Sequence, residues 1–300
     1  MSRSLRRSFM LLCSMGVAAC GDDGSGIPCT EDAQCPSQFC RADGTCAPAD
    51  IDAPLGPDAP TDAPSGVCTP NHDGAITLAE LPLTAGKMAT FRVALDPTFD
   101  TAGSAATGGA RRWDLTAQLA MDSDRPLALL SPIGTWWATK FPTASYAALL
   151  SAESDLLGVF QVDATALVLL GVVSPAAGAF RTELAYDPPA KILALPVATA
   201  GTWATTSTVS GTAQGALVSY TERYASLVDQ VGTMATPYGE FPVVRVATDL
   251  TRSSFGSTLL TKRSFAWVAE CFGSIATVQS QDFESSAEFT DPAEVRRLAP

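Results

Sequence analysis

Oxygen-bearing residues follow one another at short intervals between residues 71 and 80. Ca²⁺ binds carboxylate, amide and backbone carbonyl oxygens, so residues of these types could coordinate calcium. Gly74 directly follows the first carboxylate, and a glycine there permits the sharp turn of a loop that wraps around an ion. The candidate metal ligands are Asn71, Asp73, Ala75, Thr77 and Glu80.

The spacing of these ligands resembles that of an EF-hand or dockerin calcium loop. The resemblance implies a calcium-stabilised surface module as one alternative function. Thr69 departs from the pattern, because the family has Asp there, and Pro70 follows it. The competing interpretation is an Asp73-Gly74 turn that leads into a strand beginning at Ile76. The prediction is therefore no cofactor, with Ca²⁺ as the alternative.

His72 is the only histidine of the chain, which limits the catalytic sites that it could form. A Ser-His-Asp or Cys-His site would need His72 itself, and a zinc site with several histidines is excluded. A hydrolase with paired carboxylates needs no histidine and is the second alternative function. Because no local pattern selects such a pair, we predict that the protein is not an enzyme. The acidic residues considered are Glu153, Asp155, Glu183, Glu222, Glu240 and Glu270.

The amino terminus has the pattern of an export signal. Arg3, Arg6 and Arg7 precede an apolar run over residues 9–19, and small residues come directly before Cys20. Val17-Ala18-Ala19-Cys20 resembles a bacterial lipobox. The resemblance implies removal of residues 1–19, fatty acylation of Cys20 (palmitate being one such chain) and anchoring in a membrane. Arg6-Arg7 also resembles a twin-arginine motif, so ordinary and twin-arginine export both stay open.

The lipobox resemblance implies an exported lipoprotein of the bacterial cell envelope. Its expected place is the outer membrane, where it would face the periplasm or the cell surface. The formal net charge of the chain is −12, and loss of the three arginines within residues 1–19 would make it −15. Such a charge repels phosphate backbones, so we predict no nucleic-acid partner. The expected partners are the membrane, through the lipid anchor, and an apolar ligand or an envelope protein.

The eight cysteines fall into groups that suit an oxidising compartment. Residues 20–46 form a cysteine-rich module that resembles the Dickkopf-like modules of exported bacterial lipoproteins. Its cysteines should form two disulfides in one of three pairings, with a four-thiolate zinc site as the rival interpretation. Cys68 and Cys271 remain and should pair, with Cys271 on the buried face of a strand. The cysteines of the module are Cys29, Cys35, Cys40 and Cys46.

Residues 47–66 contain the tripeptide Asp-Ala-Pro three times and no Lys, Arg or aromatic residue. Proline favours the extended polyproline II conformation, and the aspartates repel one another. We therefore predict a disordered linker over 47–66, followed by a β-rich domain over 67–300.

Period-two alternation of apolar and polar residues dominates the domain over 67–300. Such alternation predicts β-strands, and the frequent turn residues between them favour antiparallel pairing. The fold prediction is mainly β, with a single antiparallel, strongly curved sheet that forms a half-barrel or a sandwich. One short closing helix is expected over 292–298, with Asp291 as its cap. The predicted strands lie near 91–96, 113–119, 135–141, 156–162, 166–173, 181–186, 202–210, 216–224, 244–250 and 258–268.

Two sections resemble the half-barrel domains of envelope lipoproteins and lipoprotein carriers. The first runs from Tyr186 to Trp203, and the second covers Thr236–Val246 and Trp267–Gly273. The resemblance implies an apolar concave face that could hold a lipid or another apolar ligand. Because apolar faces are usually buried, we expect a packed core there rather than a pocket. The predicted function is a non-catalytic, membrane-anchored lipoprotein that presents a β-rich binding or structural domain.

Overall fold

The computed structural model describes Thr30, Gln34, Thr45 and residues 68–300. Close contacts between Cα atoms divide the chain into a unit of residues 1–66 and a unit of residues 67–300. In the first unit, the backbone amide and the hydroxyl of Thr30 both donate to the side-chain oxygen of Gln34. The second unit carries the fold described below.

The second unit is built almost entirely of β-strands, as the alternation predicts. Short 3₁₀ turns at Leu78–Glu80 and Thr107–Gly109 are the helical segments within residues 68–300. The strands are β1 (Ala75–Ile76), β2 (Met88–Leu95), β3 (Ser104–Ala105), β4 (Arg111–Asp114), β5 (Ser123–Ala128), β6 (Tyr146–Leu149), β7 (Leu157–Val162), β8 (Ala166–Val173), β9 (Glu183–Ala194), β10 (Val197–Ala198), β11 (Thr202–Ala213), β12 (Ala216–Ala235), β13 (Glu240–Ser254), β14 (Ser257–Ala269), β15 (Gly273–Gln279) and β16 (Glu294–Leu298).

Most strands belong to one antiparallel sheet that curves back on itself. Its order is β5-β2-β16-β15-β14-β13-β12-β11-β9-β8-β7-β6, and β1 pairs separately with β10. The two end strands meet, because Leu130 and Ala147 exchange backbone hydrogen bonds of 2.7 and 2.9 Å. The sheet is therefore nearly closed and barrel-like. This architecture confirms the prediction of a mainly β, strongly curved antiparallel sheet.

Two long hairpins form much of this wall. Gln214 and Gly215 connect β11 to β12, and Phe255 and Gly256 connect β13 to β14. All four residues have positive φ angles. Two-residue turns with this backbone match the right-handed twist of the strands, which explains why the hairpins continue without splaying.

A second layer covers part of the convex face of the sheet. β4 pairs in parallel with the last residues of β12, and β3 pairs with β4. Trp113 of β4 packs edge-on against Trp267 of β14, with ring centroids 5.5 Å apart. Both indoles are fully buried, so this layer gives the convex face a core of its own.

The sequence-based prediction of a helix over 292–298 is wrong. Glu294–Leu298 forms β16, which lies between β2 and β15, and all five of its residues are buried. The isolated segment has too few turns to form a stable helix, whereas the sheet offers it backbone partners on both sides. The strand predicted over 135–141 is also wrong, because this stretch forms consecutive turns around the buried Trp137.

The disulfide between Cys68 and Cys271 is confirmed. Its position differs from the expectation, because Cys271 lies in the turn after β14 rather than on the buried face of a strand. Cys271 has a φ of 67° and is half-buried, while Cys68 is exposed. The disulfide therefore fastens the first described residue of the domain to the rim of the sheet.

Candidate ligand-binding lumen

The concave face of the sheet surrounds a lumen. Directly opposed residues of antiparallel strands point to the same face, so the strand register assigns side chains to the lumen. Phe91 lies opposite Leu298 and Tyr146 lies opposite Phe160. All four side chains line one cavity, which shows that β2, β16, β6 and β7 contribute to a common interior.

The lumen holds a cavity of about 590 Å³. Small-molecule sites usually have volumes of about 300–1,000 Å³ and mainly apolar linings. The lining here is rich in Leu, Ile, Val, Ala and Phe from both ends of the sheet, including Leu127, Leu167, Ile192 and Val246. The expectation of a fully packed concave face is therefore wrong, because the curvature of the sheet leaves space that these side chains do not fill.

Residues that line the cavity and are also exposed mark its mouth. Phe272 is 41% exposed, and Lys87 and Ser274 are exposed beside it. Lys87 directly precedes β2, and Phe272 lies in the turn before β15. The mouth is therefore at the end of the sheet that carries the disulfide.

Arg296 is the basic side chain inside the lumen, and the fold satisfies its hydrogen bonds. Its Nε donates to Glu294, and its Nη2 donates to the Leu150 carbonyl oxygen at 2.7 Å. Its Nη1 donates to the Leu149 carbonyl oxygen at 3.3 Å. Glu294 in turn accepts from the Ala152 amide at 2.8 Å. The pair joins β16 to the chain after β6, so it braces the lumen, and Glu294 neutralises the Arg296 charge.

Several polar groups of the lumen have unused hydrogen-bonding capacity. The Tyr146 hydroxyl makes no hydrogen bond with any residue between 68 and 300, although the side chain is buried. Burial raises the pKa of Tyr146, so the phenol stays protonated at neutral pH. Ser264 and Gln279 oppose each other on β14 and β15, and both line the cavity. These groups could orient a ligand within the apolar lining.

A cluster around Glu222 closes the lumen at the end away from the mouth. The Tyr186 and Tyr224 hydroxyls donate to Glu222 Oε2 at 2.9 and 2.8 Å. Arg252 donates from Nε to Glu222 Oε1 at 2.8 Å and stacks on the Tyr220 ring. Burial first, and then the Glu222 charge, raise the pKa of Tyr224. Every oxygen of this fully buried carboxylate has a partner, which favours a structural role.

The structure places the candidate calcium ligands in two local groups. Asp73 Oδ1 accepts from the Ala75 amide and Asn71 Oδ1 accepts from the Asp73 amide, both at 2.9 Å. Glu80 Oε2 accepts from the amide and the hydroxyl of Thr77 at 2.8 Å, as in a capping box. In the described part of the chain, no three His, Cys, Asp or Glu residues are arranged to hold a metal ion.

His72 and Glu270 contact each other, although they are far apart in sequence. The His72 amide donates to Glu270 Oε2 at 3.1 Å, and His72 Nδ1 lies 3.5 Å from the same oxygen. The Glu270 side chain is largely buried, whereas the His72 side chain is exposed and its backbone has a positive φ angle. The contact fixes the turn beside the disulfide.

The other acidic residues considered for hydrolysis lie at separate places. Glu183 pairs with Lys140 and Arg181, whereas Glu240 pairs with Arg112. The Glu153 amide donates to the Ser151 hydroxyl. Among residues 68–300, no hydrogen bond or ion pair joins two carboxylates of this set, and the Asp155 side chain forms no ion pair.

Cys20 and the module cysteines Cys29, Cys35, Cys40 and Cys46 lie outside the described residues, as does the linker over 47–66. Within the described residues, no helix is long and apolar enough to cross a membrane.

Sequence reasoning did not select the residues that shape the lumen. Lys87, Tyr146 and Arg296 are far apart along the chain, and none lies in a recognisable motif. The one available signal was the alternation of Ala89, Phe91 and Val93, which extends back to Lys87 on the same face.

Comparison with protein-family models, with curated proteins and with solved structures gives no match to this chain.

Proposed function

We propose that the domain over 67–300 binds an apolar ligand in its lumen and acts as a non-catalytic binding protein. The observation that carries this proposal is the apolar cavity of about 590 Å³ inside the curved sheet. Burial of apolar ligand surface contributes about 25 cal/mol per Å², so a ligand that fills such a cavity gains substantial affinity. The lone Tyr146 hydroxyl and the Ser264–Gln279 pair supply a few polar contacts for orientation.

The proposal extends to where the protein works. The signal-like start and Cys20 support an exported lipoprotein that is anchored in the bacterial envelope, with the outer membrane as its proposed place. The Asp-Ala-Pro linker supports a domain that is held away from the membrane surface. In the envelope, a domain with an apolar lumen would take up a ligand that is poorly soluble in water.

The first experiment reduces the cavity. Ala266 lines it from β14, and the Ala266→Phe substitution would place a ring in the lumen. Ala204 is exposed on β11, so Ala204→Phe is the matched control. We expect the unmodified chain and Ala204→Phe to bind Nile red with equal affinity. We expect Ala266→Phe to bind at least tenfold more weakly, with a circular dichroism spectrum that is unchanged.

The second experiment identifies the natural ligand. The full chain would be purified without detergent, extracted with organic solvent and analysed by mass spectrometry, in parallel with Ala266→Phe. An apolar compound present with the unmodified chain and depleted in the variant supports the proposal. If Nile red binds the two phenylalanine variants equally and neither preparation carries such a compound, then the lumen is not a binding site.

A further inference from the structure

We infer that the ligand of the lumen is an acyl chain with an anionic head group, and that Lys87 binds this head group at the mouth. The inference rests on the proposed function and names the ligand class. Three observations support the inference: the direction of the Lys87 side chain, the charges of the cavity lining, and the ion pairs of the basic residues in that lining.

The register directs Lys87 to the lumen. Gly86 donates to the Leu129 carbonyl oxygen at 2.7 Å, and Leu129 donates to the Lys87 carbonyl oxygen at 2.8 Å. Gly86 and Lys87 therefore both oppose Leu129, which makes a β-bulge just before β2, with Gly86 at a φ of 89°. Leu129 and Leu127 are two residues apart and share a face, and Ala89 lies opposite Leu127, so Lys87 lies on the same side as Ala89 and Phe91. All of these residues line the cavity.

The charges of the lining differ from those of the chain. The chain has 31 acidic and 19 basic residues. Of the described residues that line the cavity, two are basic, Lys87 and Arg296, and none is Asp or Glu. Because Glu294 neutralises Arg296, Lys87 carries the one uncompensated charge among the described lining residues, and this positive charge favours an anionic ligand over a cationic one.

Only one of the two cations is available to a ligand. The Arg296 guanidinium already donates hydrogen bonds to Glu294 and to two backbone carbonyl oxygens. Lys87 makes no ion pair or side-chain hydrogen bond with any residue between 68 and 300, and it is exposed at the mouth. An amphiphile could therefore place its apolar chain among Phe91, Leu127 and Leu298 and its head group at the Lys87 ammonium.

The test compares ligands that share one apolar chain. Binding of hexadecanoate, hexadecyl phosphate, hexadecanol and hexadecyltrimethylammonium to the full chain would be measured below their micelle concentrations at pH 8. We expect the two anions to bind about fivefold more tightly than the alcohol, the ratio given by an ion pair of about 1 kcal/mol. The preferred anion distinguishes a carboxylate head group from a phosphate head group. The cation should bind most weakly.

Variants then assign the effect to Lys87. Lys87→Gln should remove the preference for anions over hexadecanol and leave hexadecanol binding unchanged, while Lys87→Arg should restore the preference. Lys191 also makes no ion pair with residues 68–300 and does not line the cavity, so Lys191→Gln is the matched control. Equal binding of anions and alcohol, or a preference that persists in Lys87→Gln, would overturn the inference alone. Failure of all four ligands to bind would overturn the proposed function as well.

Discussion

Arg297 and Asp122 form a two-point ion pair that is closed to solvent. Arg297 Nη2 lies 2.6 Å from Asp122 Oδ2, and the two side chains are 0% and 4% exposed. Arg297 also donates to the carbonyl oxygens of Leu115 and Ala117. The pair therefore holds the irregular segment between β4 and β5 against the convex face of β16.

Removal of one partner should strongly destabilise the domain. Asp122→Ala leaves a buried guanidinium without its counter-charge, which usually costs about 3–5 kcal/mol. Asp124→Ala is the matched control, because Asp124 is 56% exposed and pairs with Arg92 at the surface. Such surface pairs contribute about 1 kcal/mol or less. Urea unfolding measures the free energy of unfolding of the two variants. Equal losses of this free energy would show that the buried pair stabilises the domain no more than the surface pair does.

Gly232 should be irreplaceable where β4 joins the sheet. A Cβ atom at Gly232 would overlap the Arg111 carbonyl oxygen, because β12 and β4 run side by side there. We expect Gly232→Ala to cost about 1–3 kcal/mol, as overpacking usually does. Gly178→Ala is the control, since nothing lies within 4 Å of its added Cβ and its φ is not positive. Urea unfolding should show a change of at most about 0.5 kcal/mol for the control.

Alternation in the sequence predicts individual strands well but not the closure of the sheet. The pattern of Phe91 and Val93 indicates which face is apolar, and the structure confirms strands at the predicted places from 156 onwards. Closure depends on Leu130 and Ala147, which pair through backbone groups that carry no side-chain signal. The lumen follows from that closure, and for this reason the sequence indicated an apolar face without indicating a cavity.

The error at β16 has a specific cause. Asp291 is a common helix cap and Pro292 a common first helical residue, so the segment has the pattern of a helix start. Its charged residues Glu294, Arg296 and Arg297 are of a kind usually found at the surface, which argues against a central strand. In the structure these charges are buried, and groups distant in sequence bind them: Asp122 pairs with Arg297, and two backbone carbonyl oxygens near residue 150 accept from Arg296. Local composition contains no information about such partners, so a central strand was interpreted as a terminal helix.

The disulfide should contribute a large part of the stability of the domain. Cys68 and Cys271 are 203 residues apart, so the bond restricts a very long loop of the unfolded chain. The Cys68→Ser/Cys271→Ser double variant should lose about 2–5 kcal/mol in urea unfolding. The double variant is preferable to reduction, which would also act on the remaining cysteines. An unchanged unfolding midpoint would show that the bond is dispensable.

Removal of calcium should leave the domain unchanged. Asp73 and Asn71 already accept hydrogen bonds from nearby amides, and Glu80 Oε2 is used by Thr77. We therefore expect the same melting temperature in EDTA and in excess Ca²⁺. A ligand that binds only the folded state raises this temperature, by an amount that grows with the logarithm of the ratio of its concentration to its Kd. A rise with Ca²⁺ that Asp73→Asn abolishes would restore the calcium-stabilised module as the better interpretation.

Tyr146 should make the domain sensitive to alkali. Burial raises the pKa of Tyr146 above its usual value of about 10, so the folded state keeps this proton when the unfolded state loses it. Stability is therefore fully present below about pH 10 and falls as the pH rises towards the pKa of the folded state. Each tyrosine of this kind contributes a slope of about 1.4 kcal/mol per pH unit.

Substitution of Tyr146 isolates its share of this slope. Tyr146→Phe should have nearly the same free energy of unfolding at neutral pH, because the hydroxyl has no hydrogen-bond partner among residues 68–300. Above about pH 10 the variant should lose stability less steeply, by about 1.4 kcal/mol per pH unit. Tyr186 and Tyr224, whose pKa values burial also raises, should maintain the remaining slope. Parallel pH profiles for Tyr146→Phe and the unmodified chain would mean that the Tyr146 phenol is exposed to solvent through the mouth of the lumen.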